Sequence, residues 1–395
     1  MAHPREVVIL SGVRTAIGDY GGSLKDISPT ELGAKVIREA VARSKLAPDA
    51  IGHVVVGNVI HTEPKDMYVS RVAAVNGGIP KETPCLTLNR LCGSGLQAIV
   101  SASQSILLGD CDAAVAGGVE SMSRAAYSIP ALRWGQRMGD GAMMDMMVGA
   151  LTDPFDTVHM GITAENVSAK WEISRRQQDE LAVESNHRAA RAIQNGYFKD
   201  QILPIELKSK KGPVLFDTDE HARSDASMEG MAKLRTVFQK DGTVTAGNAS
   251  GINDGAAAVV LMDRSAAEKK SLKPMARLVA YGHAGVDPRY MGIGPVPAVR
   301  KALERAGLTI EQMDVIESNE AFAAQACAVA HDLNFDMKKV NPNGGAIALG
   351  HPIGATGAII SIKAIYELQR TGGRYALATM CIGGGQGIAA IYERI

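Results

Sequence analysis

The chain repeats itself at a constant offset, and this restricts its fold more than any other feature. Moved by 262 positions, Arg38-Glu39-Ala40-Val41 falls on Arg300-Lys301-Ala302-Leu303, Arg43 on Arg305, Leu46 on Leu308, Asp49 on Glu311 and Val54 on Ile316. With no gap, Gly95 then falls on Gly357, and Ala113-Ala114-Val115-Ala116 on Tyr375-Ala376-Leu377-Ala378. One offset kept over roughly eighty residues predicts two halves of the same local structure.

Periodicity within each half agrees. Helical spacing covers Pro29 to Arg43, a buried strand covers His53 to Asn58, a helix runs from Leu96 to Leu108 and stops at Gly109, and a strand covers Ala113 to Ala116. The second half repeats the series: a helix from Val296, a strand around Asp314 to Glu317, a helix from Ala355 to Gln369 and a strand from Tyr375 to Thr379. Strands alternating with helices predict an α/β chain with helices covering its sheets. The stretch from Met122 to Gly251 has no counterpart under the shift. It holds Trp134, Trp171, the run Met143-Met144-Asp145-Met146-Met147, and a capping box, Ser174 with Gln177, that opens a charged helix to about Asn195. It reads as an inserted loop domain, and loops on a rigid scaffold carry binding, so we assign it to cofactor recognition. The expected division is residues 1–121 plus 252–274, the insertion 122–251, and residues 275–395.

Composition narrows the function. Lys+Arg and Asp+Glu both number 42 in 395 residues, so no basic field invites nucleic acid. Five cysteines, an odd number with no C-x-x-C, suit a reducing, cytoplasmic setting. Met1 to Glu6 runs straight into the strand-like Val7-Val8-Ile9-Leu10, without the apolar stretch of a signal peptide. No run of about 18 uninterrupted apolar residues occurs, so no membrane span is expected. The nine histidines form no H-E-x-x-H or ligand cluster, so no metal is expected. A G-x-S-x-G elbow and a P-loop are both missing.

Chemistry gathers in three glycine-rich runs. Cys92 lies in Asn89-Arg90-Leu91-Cys92-Gly93-Ser94-Gly95, between a strand-like Leu86-Thr87-Leu88 and a helix. A helix N-terminus favours a thiolate, so its pKa is expected below the free value of ~8.5, and the N–H groups there suit an oxyanion. A small cysteine buried in a turn is the bland alternative, which so open a turn disfavours. Cys381 follows the strand Ala376 to Met380 and precedes Gly383-Gly384-Gly385; alone, it fits a glycine turn between two strands equally well. His351, in Gly350-His351-Pro352-Ile353-Gly354, is placed to polarise a thiol or donate to an oxyanion. Asn319, ahead of Glu320-Ala321-Phe322 at a strand end, suits orienting a water or carbonyl, or capping a helix. Two thiols imply two jobs, a covalent carrier and a general base, which suits acyl transfer between thioesters better than hydrolysis.

Together these runs resemble the thiolases, specifically the acetyl-CoA acetyltransferase and short-chain β-ketothiolase group. The likeness runs essentially end to end, through Gly12-Val13-Arg14-Thr15, Asn89 to Gly95, His159-Met160-Gly161, Gly247 to Gly255, Asn319 to Gln325, Gly350 to Gly357 and Cys381 to Gly387. Asn-Arg-Leu-Cys and the Met143 region look closest to bacterial β-ketothiolases that accept somewhat longer acyl groups and feed polyhydroxyalkanoate synthesis. The resemblance implies a thiolase-like fold of two layered αβαβα halves and a ping-pong Claisen condensation or thiolysis of acyl-CoA. Cys92 would be acylated, His351 would activate it, and Cys381 would move the α-proton. One oxyanion hole would be His351 with a water held by Asn319; the other would be the N–H groups of Cys92 and Gly383. Coenzyme A would be a substrate, with no permanently bound cofactor, gripped by Leu151, His159, Arg223, Ala246, Ala249 and Ser250. Leu91, Met160, Met291 and Phe322 would line the acyl pocket. A homotetramer, a dimer of dimers, is the implied assembly. Ser318, Ser224 and Thr236 depart from common family residues, and Ser224 leaves the nucleotide contacts open. The rivals are a decarboxylating ketoacyl synthase of related fold, which needs no cysteine base, and a catalytically silent acyl-CoA or lipid carrier.

Overall fold

Residues 5–208, 210 and 212–395 are described by the computed structural model, and its sheet repeats the offset seen in the sequence. The strands are β1 (Val7–Arg14), β2 (His53–Gly57), β3 (Cys85–Leu88), β4 (Ala113–Ser121), β5 (Asn253–Asp263), β6 (Ala276–Gly285), β7 (Val315–Ser318), β8 (Tyr375–Ile382) and β9 (Gln386–Arg394). They run in the order β7-β8-β9-β6-β1-β5-β4-β2-β3, and the short strand Gly18–Asp19 pairs on β5. Apart from β3, the order is symmetric about its centre. His53 pairs with Ala114 in the parallel β2/β4 ladder, and Val315 with Ala376 in the parallel β7/β8 ladder, so the register itself carries the 262-residue offset. The offset breaks at the next strand. Ala113 pairs with Met262 on β5, whereas Tyr375 pairs with Glu393 on β9, because the inserted segment separates β4 from β5. The halves join where Val8 and Ile9 of β1 pair with Arg277 and Ala276 of β6.

The helices that matter are α1 (Pro29–Ser44), α2 (Ser94–Leu108), α3 (Met160–Lys170), α4 (Arg175–Gln194), α5 (Pro295–Ala306), α6 (Ala323–Asp332) and α7 (Ile353–Thr371). Helix α1 covers β1 and β5 from outside, and α5 covers β6 and β9. Helices α2 and α7 pack on each other between the half-sheets, which gives the layering helix–sheet–helix–sheet–helix. Strands β1, β4 and β5 are buried along their whole length, which is why they read as apolar runs without alternation. The window Leu91–Leu108 is long and apolar enough to cross a bilayer, although Ser94, Gln97, Ser101 and Gln104 interrupt its apolar residues. It is α2 with its leading turn, and its 56% burial inside the protein accounts for the composition.

The offset pair Gly95 and Gly357 sits where α2 and α7 cross. A Cβ on Gly357 would lie 2.2 Å from the Leu96 nitrogen, and one on Gly95 would lie 2.7 Å from the Ala358 nitrogen. Both obstacles are backbone, so neither can swing aside. Gly357→Ala is therefore expected to destabilise the protein by about 1–3 kcal/mol, read as a lower urea midpoint.

Two boundaries correct the sequence reading. Strand β4 does not stop at Ala116 but continues through Gly117-Gly118 to Ser121. Those glycines mark close approaches: a Cβ would lie 2.1 Å from Ala257 O at Gly117 and 2.1 Å from Gly354 O at Gly118. Strand β8 extends to Ile382, so Cys381 lies inside it, paired with Gly387, and not after it. In the inserted segment, the Ser174–Gln177 capping box opens α4, and α3 and α4 pack on α6 of the second half. Arg14 anchors the segment to β1 through a fully buried bidentate pair with Asp219, at 2.7 and 3.0 Å.

Candidate active site

The two central helices bring their N-terminal ends to one place, and each end carries a reactive side chain. Before α2, Asn89 Oδ1 accepts from Leu91 N–H at 2.8 Å. Ser94 Oγ accepts from Arg90 N–H at 2.8 Å and donates to Leu91 O at 2.7 Å. These bonds hold Leu91 at φ 45°, a left-handed conformation that costs a leucine about 1 kcal/mol or more. The strained turn presents half-buried Cys92, whose sulfur receives its own backbone N–H and that of Gly383. The sequence led us to expect a thiol with a lowered pKa. The structure reverses this: burial pushes Cys92 up to about 11, and the two N–H groups only moderate the rise.

Before α7, His351 is buried, and its backbone N–H donates to Asn253 Oδ1 at 2.9 Å. Its Nδ1 lies 2.7 Å from Thr356 Oγ1, and that hydroxyl donates its single proton to Pro352 O at 3.0 Å. Thr356 must then accept from Nδ1–H, which leaves the lone pair on Nε2. Nε2 lies 3.5 Å from Asn319 Nδ2, too long to occupy it firmly. Burial lowers the imidazole to about 4. The ring therefore stays a neutral base across the physiological range. Acetylation of Cys92, followed by quenched mass spectrometry, is expected to hold its rate through pH 6.5 and to fall only towards pH 4. Stability runs the same way. The unfolded chain takes up the proton that the folded one refuses, so His351 weakens the fold as pH drops from 6.5 to about 4.

Asn319 does not cap a helix. Phe322 is the N-cap of α6, and Asn319 sits at the end of β7 with its buried Oδ1 lacking a partner among the described residues. Such an orphan suits a water or a substrate oxygen's neighbour. Cys381 is fully buried in β8 and packs with Met160, Met291 and Phe322. Burial pushes its thiol well above the ordinary range, and Cys92 is near enough to raise it further. The glycine turn does join two strands, as the bland reading had it, and it also supplies the Gly383 N–H.

One cavity of about 600 Å³ collects most of the expected residues. Cys92, His351 and Gly383 line it together with Leu91, Met160, Met291 and Phe322. The inserted segment adds Leu151, His159, Ala246, Ala249 and Ser250 to the same wall. His159 caps α3, stacks on Phe238 at 4.6 Å, and accepts from Gly161 N–H through Nδ1 at 3.0 Å. Its proton therefore sits on Nε2. Asn319 and Cys381 are outside the lining but touch it, Asn319 at 3.5 Å from His351 and Cys381 packed against Met160, Met291 and Phe322. Arg223 is exposed and lies outside the lining; its backbone N–H donates to Asn186 Oδ1 at 3.0 Å. All five cysteines are free thiols.

The sequence reading missed three residues. Glu120, at the end of β4, accepts from Asn58 Nδ2, Val59 N–H, Ile60 N–H and Gly354 N–H at 2.9–3.1 Å. It ties the first half to the start of α7, and burial pushes its carboxyl up to about 8 against those N–H groups. Its signal was a lone acid closing the apolar run of β4. Asn253 and Thr356, which hold His351, lay inside glycine-rich runs already singled out for other residues.

Comparison with known proteins follows this geometry. Residues 7–265 match the thiolase N-terminal domain and residues 272–394 the thiolase C-terminal domain. The chain is 68% identical to the beta-ketothiolase BktB of Cupriavidus necator over 392 residues, covering 99% of this chain and 100% of that one. The crystal structure of the Bacillus anthracis acetyl-CoA acetyltransferase superposes with a TM-score of 0.98 at 46% identity, over 100% of both chains. That of human mitochondrial 3-ketoacyl-CoA thiolase in complex with CoA gives 0.96 at 45% identity, over 100% of this chain and 99% of that one.

Proposed function

The chain belongs to the thiolase family, and from that premise we propose that it is an acetyl-CoA C-acyltransferase, a β-ketothiolase working through an S-acyl-cysteine. It condenses two acyl-CoA molecules reversibly, or cleaves 3-ketoacyl-CoA with CoA. The observation that carries this reading is the meeting of Cys92, His351 and Gly383 on one cavity wall, with Cys381 packed against its Met160, Met291 and Phe322.

The chemistry follows from the geometry. His351 Nε2 takes the Cys92 proton, and the thiolate attacks the acetyl-CoA carbonyl. The N–H groups of Cys92 and Gly383 hold the oxyanion, and collapse expels the CoA thiolate. Cys381 gives that leaving group its proton and becomes a thiolate. Its high proton affinity then makes it a strong base, and it removes the α-proton of the second acetyl-CoA. Imidazolium His351, with a water held by Asn319, takes up the enolate charge. The enolate carbon attacks the S-acetyl group, the thioester to Cys92 breaks, and the Cys92 thiolate recovers its proton from His351. Every proton is returned within one cycle.

Flexible Met160 and Met291 beside Phe322 favour acyl groups somewhat longer than acetyl, as in polyhydroxyalkanoate precursor supply. A cytoplasmic homotetramer is the assembly we infer. Thiolysis of 3-ketoacyl-CoA substrates from acetoacetyl-CoA upward is the test. Parallel double-reciprocal lines, and activity that declines with length after the shortest members, are expected. Inactivity with every length, or use of malonyl-CoA with loss of CO₂, would replace this reading with a ketoacyl synthase or a carrier.

A further inference from the structure

The cavity wall carries a third histidine, which has a partner and no assigned role. His221 of the inserted segment and Asp19 of the first half both line it. His221 Nδ1 lies 2.5 Å from Asp19 Oδ1. A carboxylate oxygen only accepts, so Nδ1 carries a proton, and in the neutral tautomer Nε2 keeps the lone pair. Nε2 has no hydrogen-bond partner among the described residues. The ring is also fixed in place. A Cβ on Gly251 would sit 2.7 Å from His221 Cε1 and 3.0 Å from Nε2, so the absence of a side chain there lets the imidazole edge lie against the lining loop. Asp19 Oδ1 is held in turn by Asn253 Nδ2 at 3.3 Å. His159, on the same wall, has the opposite tautomer, with its proton on Nε2.

We propose that His221, oriented by Asp19, is a binding residue for the pantetheine arm of acyl-CoA, its Nε2 accepting an amide N–H of that arm. This rests on the acyl-CoA reading above. A pantetheine arm carries two secondary amides, each with one N–H and one C=O to satisfy as it leaves water. Much of the wall it meets is apolar, including Leu151, Val237 and Ile252. An amide N–H left unpaired there loses its water partner without replacement, so an acceptor has a use. An imidazole presenting a lone pair is the wrong partner for a phosphate, which turns the assignment away from the nucleotide end. His221 and His159 together offer one acceptor and one donor, the two functions of an amide.

The test compares His221→Phe with wild type in thiolysis of three acetoacetyl thioesters: those of CoA, of pantetheine and of a simple alkyl thiol without amides. For the first two, KM is expected to rise about 10-fold with kcat within about 2-fold, and the alkyl thioester is expected to show no penalty. His221→Asn, which keeps an acceptor, is expected to recover most of the affinity and guards against a folding defect in the phenylalanine variant. A penalty confined to the CoA thioester would move the contact to the nucleotide and overturn the proposal. A fall in kcat with KM unchanged would overturn it as well, since His221 would then act through Asn253 on the His351 loop. Wild-type activity separates the two levels: an inactive wild type sinks the enzymatic reading, whereas an active wild type with an indifferent variant sinks only the role of His221.

Discussion

Cys92→Ala is expected to lose thiolysis, condensation and the exchange of labelled CoA into acetyl-CoA together, each by about ten-thousand-fold or more. The reason is covalent. With no sulfur at this position the acyl group has nowhere to wait between the two CoA molecules, and the remaining groups have nothing to act on. His351 would keep its Nδ1 contact to Thr356, and Gly383 its N–H, so the variant is expected to fold and still bind acyl-CoA. Intact-protein mass spectrometry after exposure to acetyl-CoA should show an acetyl adduct on the wild type and none on the variant. Exchange that survived the substitution would show that the acyl group is carried elsewhere.

Cys381→Ala divides the cycle. CoA exchange is expected to continue, slowed by the loss of the thiol that protonates the leaving group. Carbon–carbon bond formation and cleavage should fall by about a thousand-fold or more, the scale of a lost general acid–base. The Cys92 acetyl adduct should then build up. The side chain is fully buried among Met160, Met291 and Phe322, and alanine leaves only a small gap, so a collapse in stability is not the expected route to inactivity. Near-normal thiolysis by this variant would remove Cys381 from the proton path.

Much of this was legible in the sequence, for reasons tied to particular residues. The 262-residue offset survives as register, His53 with Ala114 and Val315 with Ala376, because both halves meet the same demand of covering a sheet and crossing a partner helix. Gly95 and Gly357 match because one crossing point needs both backbones bare. Cys92, His351 and Gly383 stood out because their glycine-rich runs serve close approach. What escaped was long-range. Glu120 reaches Gly354 across 234 positions, and no local pattern announces such a partner. His221 finds Asp19 across 202 positions for the same reason. The Cys92 thiol was expected to shift down because helix ends are visible in a sequence and burial is not; once the halves close, burial outweighs the two N–H groups. Cys381 was placed after its strand because Ile382 and the glycines beyond it conceal the last pairing with Gly387. Arg223 was carried over from the family likeness and stands outside the cavity lining.

The most direct measurement is a crystal structure of the wild-type enzyme flash-cooled after a soak in acetyl-CoA. Density for an acetyl group on Cys92 Sγ, with a second acetyl-CoA whose methyl carbon lies within about 4 Å of Cys381 Sγ, is the expected result. Acetyl density on another side chain, or a Cys381 sulfur walled off from both acyl groups, would contradict the claim that the two neighbouring thiols serve one substrate at a single cavity.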